Sequence, residues 1–106
     1  MIYKFKSKAS GDVIMLGATG EQVLRSFGRE PAAKGIIEWR TMPEAMRAIE
    51  AAIAADDAAR EQAERDARAE GRALAPREIT LRQRAWPLVE MMKRSHAAEA
   101  DIVWGV

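Results

Sequence analysis

The chain opens on an alternation. Tyr3 and Phe5 fall on one side of an extended backbone, and Lys4 and Lys6 on the other. This predicts a strand over 2–6 with one face in water. Ser10-Gly11 marks a turn. Val13 to Leu16 is an unbroken apolar run, which predicts a second strand covered on both faces and placed inside the sheet. Gly17-Ala18-Thr19-Gly20 follows, and Thr19 and Gln22 have the spacing of a capping box. A short helix is expected from about Gly20 to Phe27, with Val23, Leu24 and Phe27 on its apolar stripe and Gly28 as its C-cap. Pro31 bars any resumption. Gly35 to Trp39 reads as a short strand.

Thr41 and Glu44 form a second capping-box pattern, with Pro43 in the first turn. Met42, Ala45, Met46, Ile49, Ala52 and Ile53 then recur at the helical period, so this half of the helix faces the core. Beyond Asp56 no apolar residue larger than alanine occurs until Leu74. Asp56 and Arg60, Glu61 and Arg65, and Glu64 and Arg68 are acid-first pairs four apart, each worth ~0.2–0.5 kcal/mol. The helix is expected to continue as a solvated arm, ending near Gly71, with 71–78 a loop. Thr80 and Gln83 make a third capping box. Leu81, Ala85, Leu88, Val89 and Met92 stripe a last helix, in which Pro87 predicts a kink or a break. Asp101 to Val106 closes the chain as a strand with Ile102, Trp104 and Val106 on one face. The order β-β-α-β-α-α-β predicts an α+β fold: a small four-stranded sheet with helices packed on one face. One domain is expected over 1–106, with about 57–78 forming the arm and loop.

Composition narrows the class. The 106 residues are 48% hydrophobic, but 21 of them are alanine, so the larger apolar side chains suffice for one modest core. Seventeen Lys and Arg against sixteen Asp and Glu leave a net charge of +1, which names no polyanionic partner. With no cysteine, disulfides, thiolate metal sites and thiol nucleophiles are excluded. A single histidine excludes His-rich metal sites. No run approaches a membrane span or a signal peptide, so a cytoplasmic location without membrane contact is expected. The abundance of Ala and Arg fits a GC-rich bacterial genome.

Several segments resemble a known family. MIYKFKSKASGDVIMLG, AAKGII, MPEAMRAIEAAI, LRQRAWPLVEMM and the final DIVWGV are similar to the bacterial domain-of-unknown-function family 1840. The similarity runs almost end to end. It implies a small bacterial protein and brings no activity, cofactor or catalytic residue.

The most unusual chemistry lies in Arg82-Gln83-Arg84-Ala85-Trp86-Pro87. Arg82 and Trp86 are four apart on a helix, so a guanidinium can lie on the indole. Arg and Trp also dominate interface hot spots. Arg82, Gln83, Arg84 and Trp86 are therefore the candidate interaction surface. The plainer reading packs Trp86 on the sheet and pairs Arg82 with Glu78. Gly17 to Gly20 sits where a phosphate can bind a helix start, but it lacks the third glycine of a dinucleotide loop and reads better as a turn and cap. Lys4, Lys6 and Lys8 form a basic face, which edge-strand protection explains. His96 suits a helix C-terminus. Asp56 and Asp57 are adjacent, so their side chains diverge. Ile102 and Trp104 read as core.

No catalytic set, cofactor or metal is implied. The leading expectation is a non-enzymatic protein-interaction module, with an unknown protein partner or self-association. A second reading is weak nucleic-acid binding through the lysines and Arg72, Arg77, Arg82 and Arg84. A third is a small-ligand binder or enzyme using Arg82, Gln83 and His96, which requires a pocket where they converge.

Overall fold

A computed structural model describes residues 2–73 and 79–106. The expected α+β order holds: β1 (Ile2–Ser7), β2 (Ser10–Leu16), α1 (Gly17–Ser26), β3 (Gly35–Ile37), α2 (Met42–Ala69), α3 (Leu81–Ala97) and β4 (Ile102–Trp104). A single 3-10 turn, Trp39–Thr41, precedes α2. The sheet order is β2-β1-β4-β3, antiparallel throughout. All three helices contribute to a single core cluster against one face of the sheet.

Tyr3 and Phe5 enter that core, while Lys4 faces out, as the alternation of β1 requires. β1 is nevertheless an interior strand, so its lysines guard no edge; they lie on the sheet's uncovered face. The second strand corrects the expectation of two-sided burial. β2 is an edge strand; Met15 is buried, and Ile14 and Leu16 are 63% and 71% exposed. Asp12 stands on the same side as Ile14 and Leu16, which marks that side as the wet one.

Two of the three capping boxes do not form. α1 starts at Gly17 directly from β2, capped by Leu16 without a side-chain bond. The Thr41 hydroxyl donates to the Glu38 carbonyl at 2.8 Å within the 3-10 turn, and so does not cap α2. The Thr80–Gln83 box is complete. Pro87 neither breaks α3 nor ends it.

All three helices stop with the same paired bonds. Gly28 N–H reaches the Arg25 carbonyl and Arg29 N–H that of Leu24; Gly71 and Arg72 repeat this at the end of α2. Both glycines have positive φ, as this termination requires. At the end of α3 the left-handed position falls to Glu99, φ 53°.

Trp104 anchors the core. Its indole lies against Gly35 of β3, where an added Cβ would run into the ring, and its Nε1 donates to the Ala32 carbonyl at 2.9 Å. Phe5 meets it edge-on at a 5.7 Å centroid distance. β4 ends here, so Val106 does not share this face and is exposed. Gly20 is the counterpart in α1: its bare Cα receives the ring of Tyr3.

In the second half of α2, Ala67 is the only buried residue after Ile53. The molecule measures 51 × 27 × 22 Å, and its radius of gyration of 15.7 Å exceeds the ~13 Å of a compact chain this size.

Gly35→Ala is expected to destabilise the fold by about 1–3 kcal/mol through overpacking. Gly11→Ala, with open space around its Cα, is expected to be near neutral. Urea denaturation of both variants checks this. Glu99→Gly is expected to raise the melting temperature by a few degrees, since about 1–2 kcal/mol of left-handed strain is relieved and part of that gain is returned to the unfolded chain.

Candidate functional site

The candidate residues lie in the first turns of α3, and their geometry begins with how that helix starts. The Thr80 hydroxyl accepts from Gln83 N–H at 3.2 Å, and the Gln83 side chain accepts from Thr80 N–H at 2.9 Å. One further N–H that the helix cannot satisfy, that of Leu81, reaches Asp56 Oδ2 on α2 at 3.3 Å. Asp56 also accepts from Arg60 Nε at 3.0 Å. The next residue, Asp57, pairs with Arg82 at 2.8 Å. The two adjacent acids thus bond neighbouring residues, Leu81 and Arg82, and together they fasten the start of α3 to α2.

Arg82 therefore pairs with Asp57. Glu78, its expected partner, lies outside the described residues. Arg84 donates to the Gln22 side chain of α1 at 2.9 Å. The stripe Leu81, Ala85, Leu88, Val89 and Met92 is buried, which turns Trp86 outward, 48% exposed. The cation over its ring is Lys93, at 4.9 Å from the centroid, rather than Arg82. Arg82 instead reaches across to α2.

Arg82, Gln83, Trp86 and Pro87 outline an apolar depression of about 490 Å³. Pro87 has no N–H, so the Gln83 carbonyl loses its donor four residues on. The depression thus offers an indole face and a proline ring. Its one lining cation is Arg82, held by Asp57; Lys93, over the Trp86 ring, also reaches Glu90 at 3.5 Å.

Other candidates take structural roles. His96 lies fourteen residues beyond Arg82, about 21 Å along the helix, so the two do not converge. Its Nδ1 stands 3.0 Å from the Trp39 carbonyl; a carbonyl only accepts, so Nδ1 carries the proton. Asp101 accepts from the Trp39 N–H at 2.9 Å. The 3-10 turn is thereby held from both sides. Gly17 to Gly20 forms no loop. Lys4 pairs with Asp12 at 3.6 Å, and Lys6 donates to the Val106 carbonyl at 3.1 Å. The aromatics beside them are buried on the opposite face, so no stacking platform forms. Arg72 pairs with Glu70, and Arg77 lies outside the described residues.

Sequence reasoning missed two features. A groove of about 640 Å³ runs over the row Lys6, Val103 and Ile36, and its lining includes Lys8, Glu99 and Asp101. The uncovered sheet face carries Ile2, Ile14 and Leu16, all more than 60% exposed. The alternation of Asp12, Ile14 and Leu16 was the signal for the second.

The family described as "Domain of unknown function (DUF1840)" matches residues 1–104. The chain belongs to this family. The match spans every strand and helix, so Arg82, Gln83, Arg84 and Trp86 all lie within the DUF1840 domain. No curated protein and no solved structure matches the chain. Among the described residues of the DUF1840 domain, no group of three or more His, Asp or Glu could hold a metal ion. No described helix is long and apolar enough to cross a membrane.

The Arg60 hydrogen bond holds the Asp56 carboxyl below its ordinary value; partial burial opposes this, and the Leu81 N–H adds to the lowering. A lowered folded value means that the stabilisation is complete above the unfolded value of about 3.9 and is lost as pH falls through the folded one. Asp56→Asn is expected to cost about 1 kcal/mol at neutral pH. The variant should also lose less stability than the parent as pH drops below about 5, as read by urea denaturation across that range.

Proposed function

We propose that this DUF1840 protein works as a binding module rather than a catalyst. Its contact face is the outer side of α3 around Trp86, and its ligand is a protein segment presenting an apolar side chain flanked by carboxylates. The observation that carries this reading is the half-exposed Trp86 set beside Pro87 over an apolar depression. A tryptophan turned away from the core adds little to packing, yet offers a large contact area at low entropic cost. Lys93 over the ring and Arg82 at the rim are held in exposed pairs with Glu90 and Asp57, weak enough for a ligand carboxylate to exchange into.

The test uses the full chain as bait in its own cell extract, with and without nuclease, followed by titration of the purified partner. Trp86→Ala is expected to weaken binding by ten-fold or more, with stability within about 0.5 kcal/mol of the parent. Trp86→Phe is expected to restore part of the affinity. A partner that binds the alanine variant as tightly as the parent overturns the proposal. Recovery that disappears on nuclease treatment overturns it in favour of nucleic-acid binding.

A further inference from the structure

The two edges of the sheet are not alike. β3 is three residues long, and Arg29 Nη2 donates to the Ile36 carbonyl at 2.6 Å. Short length and a capped carbonyl both blunt that edge. β2 is seven residues long, and among the described residues no strand pairs with its outer side. Its register with β1 runs from Ile2 opposite Leu16 to Phe5 opposite Val13, then slips to Ser7 opposite Ser10. The slip places one extra residue in β2, which turns the 10–11 end of the edge aside. Val13 to Leu16 remains as a regular open edge, with Asp12 at its bulged end.

The side chains of that stretch suit a copy of itself. Asp12 is the only charge on β2, and Lys4 of the same chain neutralises it. The edge therefore neither repels its own copy nor selects a charged partner. Its outward side chains Ile14 and Leu16 are apolar and strongly exposed, so they can pack on the same side chains of a second copy. An antiparallel pair about a two-fold axis at Ile14 sets Ile14 beside its own copy and Leu16 beside the partner's Asp12. Ile2 lies opposite Leu16 within each chain. Six exposed apolar side chains, Ile2, Leu16 and Ile14 from each copy, then form a diagonal band across the joint, with Lys4 and Asp12 of each copy at its margins. The two Asp12 carboxylates stand about four residues, or ~13 Å, apart along the strand direction, beyond strong repulsion at physiological salt. Stacking the open faces instead would bury Lys4 and Lys6 against each other, which is costly.

We propose that β2 pairs with β2 of a second copy of this chain, making a continuous eight-stranded sheet with the helices of both copies on one side. The contact is small, so association is concentration-dependent. It is independent of the Trp86 face, which lies on α3.

Sedimentation velocity of the full chain, from roughly 10 µM to 1 mM, tests this in the range where small interfaces associate. The parent is expected to move from monomer to dimer. Ile14→Lys places two ammonium groups at the two-fold axis and is expected to raise the dissociation constant ten-fold or more with an unchanged melting curve. Ile36→Lys, on the same face at the far edge, is expected to dimerise like the parent. Because the chain lacks cysteine, Ile14→Cys is expected to form a covalent dimer under mild oxidation faster than Ile36→Cys. A parent that stays monomeric throughout overturns the proposal. So does a dimer indifferent to Ile14→Lys, or one lost equally with Ile36→Lys.

Discussion

The placement of Trp104 governs this structure. β4 is only three residues long, yet it fills the middle of the sheet, between β1 and β3. A strand that short cannot hold two neighbours by backbone bonds alone. The indole supplies what the ladder lacks: it crosses to β3 at Gly35, bonds the Ala32 carbonyl, and meets Phe5 of β1 on its edge. Arg29 lies 5.5 Å from its centroid and also donates to Ile36, so the loop before β3 is drawn onto the same ring. One side chain thus joins three strands and a loop.

The helical layer has a comparable device in α3. Its N-terminus is tied to α2 by Asp56 and Asp57, and its C-terminal half is tied to the sheet by Ser95, wholly buried and 2.7 Å from the Ser7 hydroxyl. His96 holds the 3-10 turn that launches α2. With both ends fixed and the inner stripe buried, the rotation of α3 about its axis is set. That rotation is what turns Trp86 outward and Met92 inward. The exposed tryptophan follows from how the helix is anchored rather than from local preference.

Much of the fold was legible in the sequence because periodicity reports burial directly. The alternation of β1, the core-facing half of α2 and the stripe of α3 all come from spacing alone. The errors arise where a local pattern has two physical meanings. Val13 to Leu16 is apolar on both sides, which normally means two-sided burial; here the chain leaves Ile14 and Leu16 in water. Thr19 and Thr41 have the spacing of caps, but α1 follows β2 without a turn and a 3-10 turn occupies Thr41. The candidate surface was found by residue type, whereas its partners were not. Asp57 lies 25 positions before Arg82, and no spacing rule links an arginine to an acid on another helix. The stacking of Lys93 on Trp86 was likewise displaced from the expected Arg82 by that distant pair.

The central position of β4 also sets an order on folding. Lys6 pairs with Val103, so the inner edge of β1 stays open until a segment far along the chain reaches it. Until β4 arrives, Phe5 of β1 and the bare backbone at Gly35 of β3 lack the indole that covers them. A pairing this non-local must meet its loop-closure cost before it is rewarded, and the interval before it is when chaperones and proteases meet an open core. A β4 inserted late, between strands already made, works as a keystone rather than as a foundation.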